Sequence, residues 1–87
     1  FSIKGRVMDS HKNPIDGIHL RLVVDKDGGN LSTKPEMDAA GNFIFKNLDE
    51  QLYSIHATDP KANFKFTSVY AIPTNGEPVE IRMQRRN

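Results

Sequence analysis

Apolar residues return at every second position along most of this chain, and clusters of turn-forming residues cut that alternation into short pieces. Phe1, Ile3, Gly5 and Val7 alternate with Ser2, Lys4, Arg6 and Met8. A period of two marks a strand with one buried face. It recurs at Ile18, Leu20, Leu22 and Val24, with Val23 as the exception, and again at Phe43 and Phe45, at Tyr53, Ile55 and Ala57, at Phe64 and Phe66, and at Val79, Ile81 and Met83. Between these runs lie Asn13-Pro14, Asp16-Gly17, Asp27-Gly28-Gly29-Asn30, Gly41-Asn42, Asp59-Pro60 and Asn75-Gly76. Such residues accept positive φ, fixed φ or side-chain-capped turns, so the strands are short and their sheets antiparallel. If a further strand forms over residues 33–37, Pro35 confines it to a sheet edge or takes its first position.

Residues 47–57, NLDEQLYSIHA, admit two readings. Asn47 caps a short helix with Glu50 at its third position, or residues 47–51 form a turn that feeds a strand. The β-favouring run from Tyr53 to Thr58 favours the turn. With no helix long enough to cover a sheet, the cover is a second sheet, and the expected fold is an all-β, antiparallel two-sheet β-sandwich of about seven strands with Greek-key, prealbumin-like connections. A five-stranded OB-type barrel is the structural alternative and would imply nucleic-acid or oligosaccharide binding.

A chain of 87 residues supports one core, so residues 1–87 are expected to be a single domain. Its start at Phe1 is read as that of a piece excised from a larger protein. The absence of cysteine excludes a disulfide framework, a thiolate metal site and a catalytic thiol. A net charge of +1 offers no field to steer a polyanion, and no apolar run approaches the roughly 20 residues of a membrane span. Neither nucleic acid nor direct membrane insertion is therefore expected. The basic residues Arg82, Arg85 and Arg86 are expected to be a solvated terminal strand leading into a linker.

Few residues offer chemistry. His11 falls in the opening loop, and His19 and His56 take the outward parity of their strands, without local spacing or a third ligand for a metal. Asp25 to Asn30 read DKDGGN, with carboxylates at alternate positions and Glu36 at the twelfth; the sixth position, where a calcium loop needs glycine, is Asn30. Ser10, Ser32, Ser54 and Ser68 stand in no nucleophile elbow, and Gly28-Gly29 is followed by no phosphate-binding lysine. Phe64, Lys65 and Phe66 form a stacking platform only if the two rings point outward; their alternation assigns them to the core. No catalytic, cofactor-binding or metal-ligating residue is expected, and the chain is not expected to be an enzyme.

Gly5-Arg6-Val7, Asp9, Pro14-Ile15 and Gly17-Ile18, followed by Asp38-Ala39-Ala40-Gly41, Phe43-Ile44-Phe45, Leu48 and Tyr53-Ser54-Ile55, appear in an order that resembles the carboxypeptidase regulatory-like family. These are transthyretin-like or prealbumin-like sandwiches related to collagen-binding B-type repeats. The resemblance runs from about Ile3 to Met83. Glu50-Gln51-Leu52 replaces the usual glycine-bearing turn before the tyrosine. Lys4 is on the outward parity and the last strand has no Asn before Asn87, so the Lys-to-Asn crosslink of some relatives is not expected. The matching positions carry scaffold roles: close approach at Gly5, positive φ at Gly17 and Gly41, core filling by Phe43, Phe45, Leu48 and Tyr53, and a tyrosine-corner bond from the Tyr53 hydroxyl.

What the resemblance implies is a non-catalytic module of a bacterial secreted or cell-envelope, and so extracytoplasmic, protein. It would act as a spacer, docking or stability domain whose partners are neighbouring domains of the same chain. The alternatives are a carbohydrate- or protein-binding module, or an accessory domain of a peptidase or TonB-dependent outer-membrane receptor. Any ligand site is expected in the loops 25–35 and 72–78.

Overall fold

The computed structural model describes residues 1–25 and 33–86. Seven strands follow in order: β1 (Ile3–Asp9), β2 (His19–Val24), β3 (Glu36–Met37), β4 (Asn42–Phe45), β5 (Leu52–Thr58), β6 (Thr67–Pro73) and β7 (Val79–Met83). They form two sheets, one of order β3-β4-β1-β7 and one of order β2-β5-β6. The described residues contain no helix, and residues 47–51 are a turn with Asn47 at φ 60°. β3 is a two-residue edge strand that begins just after Pro35.

Between the sheets lies a core in which Val7, Leu22, Phe45, Tyr53, Ile55, Ile81 and Met83 are the largest fully buried side chains. Phe43 and Phe45 meet edge to face, with centroids 5.9 Å apart. Gly5 is required by the neighbouring strand: a Cβ there would lie 2.1 Å from the Val79 carbonyl oxygen and 2.7 Å from the Phe43 ring. The Tyr53 hydroxyl donates to the Asp49 carbonyl at 2.9 Å, which makes the expected tyrosine corner and holds the 47–51 turn against the core.

Three details differ from the sequence expectation. All strand pairs are antiparallel except β1 and β7, which run parallel from Gly5↔Val79 to Asp9↔Met83. Phe1 is 56% exposed, because the strand begins at Ile3 and only the Phe1 carbonyl is engaged, by the Leu48 amide. The sixth strand starts at Thr67 rather than at Phe64. Residues 59–65 instead make a turn and a single bridge, Phe64↔Arg85, so Phe66 faces outward at 55% exposure while Phe64 packs half-buried against the core.

One turn is built three times, at DSHKN (residues 9–13), DAAGN (38–42) and DPKAN (59–63). In each, the aspartate carboxylate accepts the amides two and four residues on: His11 and Asn13 for Asp9, Ala40 and Asn42 for Asp38, Lys61 and Asn63 for Asp59. The fourth residue has positive φ in each, Lys12 at 66°, Gly41 at 81° and Ala62 at 57°, and its amide donates to the aspartate carbonyl. These donors hold the carboxyl groups below their ordinary range. The Asn13 amide is the main cause for Asp9 and the Asn42 side chain for Asp38; at Asp59 desolvation opposes the shift, and the amides of Lys61, Asn63 and Phe64 outweigh it.

Candidate functional site

The outward parity of β5 and β6 gathers the most distinctive surface of the molecule. With β6 in register, Ile55↔Val69 turns Val69 toward the core and His56↔Ser68 turns Ser68 out, leaving Phe66, Ser68 and Tyr70 on one face. His56, half-buried at the centre, stacks on Phe66 with centroids 5.7 Å apart and meets the edge of Tyr70 at 6.1 Å. Its Nδ1 lies 2.7 Å from the Ser68 hydroxyl. On the other flank, β2 places Arg21 directly opposite His56, and His19 opposite Thr58. A shallow cleft of about 390 Å³ runs between them, lined by His19, Leu20, Arg21, His56, Thr58 and Phe66.

A wider cleft, about 750 Å³, opens on the outer face of the other sheet near Lys4, Arg6, Glu36, Met37 and Glu80. Its charges are mixed and in part answered locally, Lys46 by Glu36 at 2.9 Å and Arg82 by Glu80 at 3.1 Å. Surface pairs of this kind contribute little to stability, but they leave fewer charges free for a ligand.

The remaining candidates are dispersed. His11 is exposed in the first turn, and the register sets His19 diagonally from His56 rather than opposite it. Among the described residues no group of three His, Asp or Glu side chains is placed to hold a metal. Asp25 accepts the hydroxyl of the buried Ser54, and Glu36 is engaged by Lys46; residues 27–30 and Ser32 lie outside the described residues. Ser10 is an exposed turn residue. Ser68 and His56 form a serine-histidine pair, but among the described residues no carboxylate bonds the imidazole to complete the constellation of a nucleophile and its oriented base.

The side chains of Arg82, Arg85 and Arg86 are exposed, as expected, while the backbone around them is tied into the fold. Arg85 lies over the Phe64 ring at 5.2 Å, the Arg86 amide donates to the Asn63 carbonyl, and the Lys65 amide donates to the Gln84 carbonyl. These bonds tie the end of the chain to the segment before β6 and join the two sheets along one side. Sequence reading missed the outward Phe66 and Tyr70 because β6 has weak alternation: in TSVYAIP only Ile72 is fully buried. The available signal was the Asp59 turn, which delays the strand by three residues.

No protein-family model matches this chain, and no curated protein matches it. Solved structures do. A chain from an N-terminal interface mutant of a type II Cohesin-X-Dockerin complex of Acetivibrio cellulolyticus superposes with a TM-score of 0.61 at 16% identity, over 97% of this chain and 57% of that one. A chain from the C-terminal interface mutant of the same complex gives 0.60 at 16% identity, over 94% and 56%. The chain thus spans a little over half the length of these relatives. What they share is the fold: this is an all-β, two-sheet β-sandwich.

Proposed function

We propose that residues 1–87 form one non-catalytic domain of a larger secreted or cell-envelope protein, and that the domain spaces and docks its neighbours. The observation that carries this is the parallel pairing of the first and last strands. Parallel neighbours start at the same pole, so the chain enters β1 at one pole of the sandwich and leaves β7 at the other. A domain threaded in this way extends a polypeptide, whereas entry and exit at one pole would make it a side branch. The elongated outline, 37 × 22 × 19 Å, suits that role.

Two further observations support it. The neighbours in fold are chains of protein complexes whose interfaces were mutated. Gly5, Asp9, Gly41 and Tyr53, the residues behind the resemblance to carboxypeptidase regulatory-like domains, all take scaffold positions, as a spacer domain requires.

The test is excision of residues 1–87 from the full-length protein with the flanks rejoined, followed by small-angle scattering. Spacing predicts that the flanking domains approach by at least about 20 Å, the length of a seven-residue strand. An unchanged separation refutes it.

A further inference from the structure

The outer face of β2-β5-β6 has an unbalanced chemistry. Its strands read HLRLVV, LYSIHAT and TSVYAIP, with no Asp, Glu or Lys among them. Outward stand Arg21, the imidazoles of His19 and His56, hydroxyls, the exposed Leu52, and two rings, Tyr70 at 65% exposure and, just before β6, Phe66 at 55%. Among the described residues Arg21 makes no ion pair, in contrast to the paired charges of the opposite sheet. The carboxylate that directly follows β2, Asp25, is engaged by the Ser54 hydroxyl, so the Arg21 guanidinium with the imidazoles beside it complements an anion.

Size narrows the partner. Three strands about 4.8 Å apart and about seven residues long give roughly 330 Å² of face. That is less than half of the ~800 Å² per side that a folded protein partner buries. The cleft of about 390 Å³, by contrast, falls within the range of small-ligand sites. A neutral sugar would leave the Arg21 guanidinium without a counter-charge, so an acidic one complements the face better.

We propose that this face binds an acidic oligosaccharide, one whose sugar units carry carboxylates. Arg21 takes a carboxylate with His19 and His56 beside it, and the apolar face of a pyranose ring lies on Phe66, with Tyr70 at its edge. The site is separate from the poles through which the domain joins its neighbours, so it stands whether or not the spacer reading holds.

Calorimetric titration of the chain with trigalacturonate tests it, with cellotriose and a hexaglutamate peptide as comparison probes and light scattering to report self-association. Expected are saturable binding of trigalacturonate that weakens as salt rises, and at least about tenfold weaker binding in Arg21→Gln and in Phe66→Ala. Arg82→Gln, on the opposite sheet, leaves binding unchanged. Both binding-face substitutions are on exposed side chains, and coincident thermal melts establish that the variants remain folded. No binding of trigalacturonate, equal binding of cellotriose, a response to hexaglutamate alone, or a dimer abolished by Phe66→Ala each overturns the assignment.

Discussion

Replacing Ala62 by glycine removes a methyl group from an exposed turn and nothing else, yet it should make the protein more stable. Ala62 occupies the left-handed region at φ 57°, in the fourth position of the 59–63 turn. Holding an ordinary residue there costs about 1–2 kcal/mol. Glycine escapes that cost, but its greater freedom in the unfolded chain returns about 0.5–1 kcal/mol. The net gain is about 0.5–1 kcal/mol, or roughly 2–8 °C in melting temperature for a domain of this size. Lys12→Gly, at φ 66° in the 9–13 turn, should act in the same direction. The third turn supplies the opposite experiment. Gly41→Ala incurs the left-handed penalty and also sets a Cβ 2.5 Å from the Val7 carbonyl oxygen and 3.2 Å from that of Ile15, so it should destabilise by more than about 2 kcal/mol. Circular dichroism melts and urea titrations of the three variants give the numbers. A lower melting temperature in Ala62→Gly, or an unchanged one in Gly41→Ala, would mean that the left-handed geometry does not govern these turns.

Gly5→Ala drives a methyl group into the backbone of β7, which cannot yield without breaking the β1-β7 register, and the expected loss is about 3 kcal/mol or more, measured by urea unfolding; a loss under 1 kcal/mol would show that the two strands separate easily. The turn aspartates set the acid response. Their folded-state pKa values lie below the ordinary 3.8, so the stability they contribute is complete above that value and disappears as pH falls through the folded-state values. Melting temperature should therefore fall as pH drops below about 4, and the profile should flatten in the combined Asp9→Asn, Asp38→Asn and Asp59→Asn variant; equal slopes in the two proteins would refute that linkage.

Residues that report on their own neighbours were legible in the sequence. Alternation placed β1, β4, β5 and β7, Pro35 placed β3 at an edge, and Tyr53 announced its bond to the backbone four residues before it. Strand order was not legible, because nothing local to Val79–Met83 states that it lies parallel to Ile3–Asp9. The binding face was hidden for a related reason. Phe64, Lys65 and Phe66 alternate like a strand, but the Asp59 carboxylate binds the amides of Asn63 and Phe64 and holds that segment in a turn. Which way Phe66 points is then decided by the pairing of β6 with β5, and Arg21 meets His56 only through a second pairing, that of β2 with β5. Sequence alternation identified the layers; the face is a product of register between them.

The parallel contact of β1 with β7 also has a mechanical meaning. Tension applied through the two ends of the domain pulls β1 toward one pole and β7 toward the other, so the load falls along the strands rather than across them. All the hydrogen bonds between Gly5↔Val79 and Asp9↔Met83 then resist together in shear, where an antiparallel pair pulled from adjacent ends would open one bond at a time. A chain carrying this sandwich in line would lengthen under force in a single abrupt event, after the whole strand pair gives way.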